Sequence, residues 1–182
     1  NGGALMLNVQ MTISIYKCEF RENKALKSGG AIYILPSEYD GYCNLGIKNS
    51  IFVNNEANQG GSIYIDVKGK SAKYIDLNNC NFEGGNVVMV DEPSSQIIIE
   101  NDDFSKITDK TALTVTQKEE SENLFQLTDS RFHDCDNNNN EIIICFNFSL
   151  MTSKLTFSSN SVTNITTRST NSYIGSINTN KK

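Results

Sequence analysis

The sequence predicts an all-β chain, a single-stranded right-handed parallel β-helix solenoid of about six coils. Three observations predict it. The stretch "CEFRENKALKSGGAIYI" at residues 18–34 returns as "SIFVNNEANQGGSIYI" at residues 50–65, and a repeat of this period marks stacked supersecondary units. Phe20, Phe52, Phe82, Phe104, Phe132 and Phe157 recur at spacings of 32, 30, 22, 28 and 25 residues, so the strands keep register while the turns vary in length. Apolar residues alternate at period two, with β-branched and aromatic enrichment and no long capped 3.6-residue pattern, so helices are few. A sandwich would pair neighbouring strands antiparallel through hairpins. Like residues returning at like places favour a solenoid, with each strand about 4.8 Å from its copy one turn later.

Along the chain, "ALMLNV" is a β-stretch ahead of the first ring, and "MTISIYKCEF" closes on Phe20. A polar turn then leads to a second β-stretch, "AIYIL", and the pattern resumes with "NLGIKNSIF", "SIYIDV", "YIDLNNCNF", "VVMVDE", "QIIIENDDF", "ALTVT", "LFQLTDSRF", "EIIICF" and "SKLTF". The Asn137–Asn140 run reads as a solvated corner. Residues 1–170 are expected to form the helix, and residues 171–182, short of large apolar side chains, a weak last coil or frayed tail. The first residue is Asn1 rather than Met, and "NGGALML" reads as the middle of a repeat. The chain is therefore expected to be a piece of a longer one, with strand edges covered by neighbouring segments or another subunit.

Each repeated residue has a mechanical reason to stand on its own copy. The Phe column buries on the order of 150–200 Å² per ring. Asn23, Asn55 and Asn160, three residues after Phe20, Phe52 and Phe157, are expected to take the tight-turn backbone and bond adjacent coils through their amides. Gly30 and Gly61 let turns pack closely.

The pairing of FxxN with GGA[ILV] resembles the repeat of chlamydial polymorphic outer-membrane proteins, and more broadly the right-handed β-helix of pectin-lyase-like proteins. The likeness rests on Gly2-Gly3-Ala4-Leu5, on Phe20–Asn23 with Gly29-Gly30-Ala31-Ile32, and on Phe52–Asn55 with Gly60-Gly61-Ser62-Ile63. It fades past residue 80. There Gly84-Gly85 follows Phe82 too closely, Ile107 and Cys135 hold the Asn slot, and no Gly-Gly precedes Ala112 or Ile142. The resemblance implies a structural or adhesive module on a cell surface, with no chemistry of its own and protein or glycan partners. A carbohydrate-active enzyme, or a component inside a multi-protein assembly, are the alternatives.

A formal net charge of −5 with scattered Lys and Arg gives no basic patch for nucleic acid or an anionic membrane. No apolar run reaches the roughly 18 residues of a membrane helix. Five cysteines with one histidine match no zinc spacing, and nothing calls for a metal or cofactor. Cys18 and Cys80 both stand two residues before a register Phe, with Ser50 between. Two coils is about 9.6 Å, beyond disulfide reach, so these two are expected to be unbonded. Asn147-Phe148-Ser149 and Asn164-Ile165-Thr166 are acceptor sequons.

Alternation places Ile32, Ile34, Ile63 and Ile65 inside and Tyr33 and Tyr64 outside. Extended, it gives an outward column of Met6, Tyr33, Tyr64, Met89 and Thr114, with Tyr33, Tyr64 and Met89 as the candidate binding face. A catalytic reading would rest on Asp66 stacked beside Asp91, with Glu92 adjacent and Lys68 the nearest cation. No Arg or His joins them in sequence, and His133 reads as a turn residue. Such a site needs convergent groups, so no catalytic residue is assigned.

Overall fold

The structure, a computed structural model, describes residues 1–9, 12–36, 43–66, 72–90, 96–117, 124–137, 143–148, 154–167 and 175–179. The chain winds as a parallel β-solenoid whose laps contribute one strand to each of three sheets. The first sheet stacks Leu5–Val9, Ile32–Pro36, Ile63–Asp66, Val87–Val90, Leu113–Gln117, Ile144–Phe148 and Gly175–Thr179. The second stacks Thr12–Tyr16, Cys43–Lys48, Ala72–Asn78, Gln96–Glu100, Leu124–Thr128 and Lys154–Ser158. The third stacks Glu19–Arg21, Ile51–Val53, Asn81–Glu83, Asp103–Ser105, Arg131–Asn137 and Ser161–Thr167. Neighbours in each stack run parallel, as the repeat requires.

Two corners per lap are turned by one left-handed residue each. Between the second and third sheets it is Lys17, Asn49, Asn79, Asn101, Asp129 or Ser159. Directly after the short third-sheet strands it is Glu22, Asn54, Gly84 or Lys106, and at the matching place inside the longer strands Arg131–Asn137 and Ser161–Thr167 it is Asp134 or Asn164. Asn and Asp dominate because their short polar side chains tolerate this backbone. The turn is thus made one residue before Asn23 and Asn55, which do a different job.

The core is the set of inward columns: Ile32 on Ile63 on Val87 on Leu113, and Ile34 on Ile65. Against these pack Leu45, Ile47, Ile75, Leu77, Ile97 and Ile99 from the second sheet. Phe20, Phe52, Phe82, Phe104 and Phe132 stack in the third sheet with centroids 4.7–4.9 Å apart and planes within 14°. This column holds five rings across four turns, not six. Phe157 lies in the second sheet, opposite Leu127, and is 48% exposed. The residue that follows Phe132 in the third sheet is Val162. Phe157-x-x-Asn160 is therefore the motif by coincidence, one corner early. A spacing rule cannot tell two equivalent corners apart.

Candidate functional site

The repeated residues bond lap to lap. Asn55 is fully buried; its Oδ1 accepts from the Asn23 main-chain N–H at 3.0 Å and from Asn23 Nδ2 at 2.9 Å, while its Nδ2 donates to the Phe20 carbonyl at 3.0 Å. Gly29 and Gly60 take positive φ, and a Cβ on Gly30 would strike the Gly61 carbonyl oxygen. Phe, Asn and Gly-Gly are thus a single device that lets one lap lie flat on the next. Residues 17–35 match the model of the Chlamydia polymorphic membrane protein repeat. No curated protein and no solved structure gives a significant match. The matched polymorphic-membrane-protein repeat spans Phe20, Asn23, Gly29-Gly30 and Ile32 to Leu35, the residues that build the first lap and its corner.

A second polar column went unread beyond its first three members. The residue after the left-handed position at the second-to-third corner is Cys18, Ser50, Cys80, Asp102, Ser130 or Asn160. Cys18 N donates to Ser50 Oγ at 3.2 Å, Cys80 N to Asp102 Oδ1 at 2.6 Å, Asp102 N to Ser130 Oγ at 3.2 Å and Ser130 N to Asn160 Oδ1 at 2.9 Å. Asn160 Nδ2 donates to the Leu127 carbonyl at 2.8 Å, so Asn160 does bridge laps, in this column rather than under Asn55. The signal was available: each member stands two residues before Phe or Val and is Cys, Ser, Asp or Asn. Burial pushes the Cys80 thiol up to about 12, with the Asp102 charge adding to it. Cys18, Cys80 and Cys135 are thiols without disulfides, so Cys18 and Cys80 are unbonded as the spacing predicts. The Cys43 side chain lies outside the described residues.

The expected tyrosine ridge is not exposed. Tyr33 and Tyr64 stack at 5.6 Å on the side of the first sheet away from the main core, yet are only 6% and 7% exposed. Leu35 packs against them. The Tyr33 hydroxyl bonds Asp66 and the Asn1 side chain, and burial first, then Asp66, raises its pKa. Alternation gave the direction of these rings but not their cover. Met89 is not in their column: it pairs with Ile65 and Val115, the inward register, and Tyr64 pairs with Val88. Its side chain lies outside the described residues. Asp66 is buried and pairs with Val90, and its expected neighbour Asp91 lies outside the described residues. Lys68, Asp91, Glu92 and Asn138–Asn140 lie outside the described residues, as does the Asn147 side chain.

Two polar clusters stand on outer faces. On the second sheet, buried Asp76 takes Lys48 Nζ at 2.5 Å and the Tyr74 hydroxyl at 3.3 Å; the Asp76 hydrogen bond raises Lys48. On the third, His133 lies in a strand rather than a turn. Its Nε2 meets Asp103 Oδ1 at 2.9 Å and its Nδ1 meets Asp134 Oδ2 at 2.7 Å. The His133 bond, then one from Asn164, lowers the Asp134 carboxyl. Among the described residues no three His, Cys, Asp or Glu converge to hold a metal ion.

Proposed function

We propose that this chain is a non-enzymatic structural and adhesive β-solenoid module of a larger, surface-exposed protein. It presents its outer face to protein or glycan partners and covers its terminal strand edges with neighbouring segments or another subunit. One observation carries this reading: the residues of the matched repeat serve lap-to-lap stacking, which leaves the outer faces of the sheets and the corners of different length at 22–31, 54–62, 84–86 and 106–112 to meet a partner. Asp66, weighed for catalysis, and His133, the one histidine, support it too. Asp66 is tied to a tyrosine and His133 is clamped by two carboxylates, neither beside a free nucleophile.

The test presents the 182-residue protein on beads to arrays of glycans and of extracellular proteins, and separately incubates it with polyuronates and neutral polysaccharides. Saturable retention without new reducing ends is the expected result. Turnover that disappears in Asp66→Asn would instead establish the carbohydrate-active enzyme.

A further inference from the structure

The corner after the third sheet is interrupted at one lap. Residues 22–31 and 54–62 make this corner in the Phe20 and Phe52 laps, only 84–86 make it in the Phe82 lap, and 106–112 restore it in the Phe104 lap. The first two segments pair edge to edge: Glu56 N donates to Asn23 O at 2.9 Å, Ala25 N to Glu56 O at 2.9 Å, Gln59 N to Lys27 O at 3.1 Å and Gly29 N to Gln59 O at 3.0 Å. Residues 106–112 pair in the other direction, through Asp109 N to Asp136 O at 2.9 Å. Stretch 56–59 thus uses one edge on the lap before it, and its other edge faces the lap that is cut short. Two strand spacings, about 9.6 Å, separate it from the Phe104 corner, which is room for one extended segment.

Lys110 reaches across this gap. Its Nζ donates to the Ala57 carbonyl at 3.1 Å from two laps away, where a main-chain N–H of a full-length lap would otherwise come. The Ala57 carbonyl is thereby an acceptor aimed into the gap, satisfied by a side chain that can swing aside. A cavity of about 510 Å³ opens here, with Ala25 and Ala57 in its lining and Leu26, 92% exposed, at its rim. The lining carries Lys24 and Lys110 against Glu56 alone, in a chain of net charge −5. Glu56 is already paired with Lys24 at 3.0 Å, so the surplus charge of the notch is positive.

We propose that this notch docks an extended, acidic peptide segment of a partner protein, which adds as a strand to the open edge at residues 56–59 and sets a carboxylate against Lys110. Strand addition supplies affinity through main-chain bonds and specificity through alternate side chains. The small residues Ala25 and Ala57 leave space for the incoming backbone, and Leu26 offers an apolar contact. The proposal rests on the adhesive reading and names the partner class for it.

The experiment titrates the 182-residue protein into two fluorescein-labelled octapeptides, one alternating valine with aspartate and the other valine with lysine, and follows anisotropy. The aspartate peptide should bind and weaken with added salt. Lys110→Glu should weaken it tenfold or more and let the lysine peptide bind, and Lys110→Gln should fall between, with melting unchanged in both variants. Equal binding of the two peptides, indifference to Lys110→Glu, or no anisotropy change at millimolar protein would overturn the site. Self-association abolished by Lys110→Glu would overturn it too, in favour of a second copy of this chain. If the peptides fail while bead retention on the arrays persists, the notch is wrong and the adhesive module stands.

Discussion

Asp102 stands in the core between Cys80 and Ser130, 1% exposed, and burial holds its carboxyl well above the usual range. Its Oδ1 accepts from Cys80 N, while its Oδ2 is buried with no partner. Its column-mates donate from this place to main-chain carbonyls: Cys80 Sγ to Ile47 and Asn160 Nδ2 to Leu127 on the previous lap, Ser50 and Ser130 Oγ to Lys48 and Thr128 two residues back. The equivalent acceptors for Asp102 are therefore the Leu77 and Glu100 carbonyls. A protonated Oδ2 completes the pattern, because a neutral acid donates where a carboxylate cannot. The sign follows. An acid with a raised folded pKa has its full stability below the unfolded value, about 3.9, and loses stability as pH rises towards the folded value. Asp102→Asn, which carries the donor permanently, should therefore unfold at higher denaturant than the parent at pH 7, and the gap should shrink towards pH 4. Urea midpoints across that range measure it; a gap independent of pH would mean that the carboxyl titrates normally.

At the scale of the corner, two glycines separate close packing from mere turn composition. Gly30 lies against the next lap, and an added Cβ would meet the Gly61 and Glu56 carbonyl oxygens. All of these are main chain, so nothing small can yield. Gly46 stands on the outer face of the second sheet, where a Cβ would meet only Lys48 Cε at 3.9 Å. Gly30→Ala should cost about 2 kcal/mol or more, whereas Gly46→Ala should be neutral or stabilise by up to about 1 kcal/mol. Paired thermal melts read the contrast, and similar losses in both would remove the stacking account of the Gly-Gly motif. The same corners show what was legible in the sequence. Phe20 to Phe132 and the Gly-Gly pairs announced the solenoid because stacking demands identical neighbours. Tyr33 and Tyr64 were oriented correctly by alternation, but their cover comes from Leu35, Asp66 and Asn1, which no period encodes. Counted from Gly84-Gly85 as Tyr64 is counted from Gly60-Gly61, the place opposite Tyr64 falls on Val88 and not on Met89, so that expectation was one residue out. The notch at Ala57 was invisible for another reason: it is made where the 84–86 corner is short, and only the pairing across the gap reveals it.

Over the whole molecule, each strand pairs only with those of the neighbouring laps, and Lys110 to Ala57 is a contact that skips one, so stability is close to a sum of lap and interface terms and can fail locally. The ring column supplies a graded interface. It runs unbroken from Phe20 to Phe132 and then meets Val162, which is only partly buried, while Phe157 stands in the Leu77–Ile99–Leu127 column of the second sheet and is half-exposed in its last strand. The lap of Ser161–Thr167 therefore rests on the stack without a ring of its own, and its amides should exchange faster than those of Asn81–Glu83 and Asp103–Ser105. Val162→Phe extends the column where the site is open enough to accept a ring, unlike the closed core around Phe104. A stacked pair contributes about 0.5–1.5 kcal/mol beyond its area, so exchange in Ser161–Thr167 should slow by roughly twofold to tenfold, at about 1.4 kcal/mol per decade, with little change two laps away. Hydrogen–deuterium exchange on the intact chain gives both readings at once. If Val162→Phe leaves that lap as labile as before, or if all laps exchange as one unit, the rings are passengers and hydrogen-bonded corners such as Ser130–Asn160 hold the laps together.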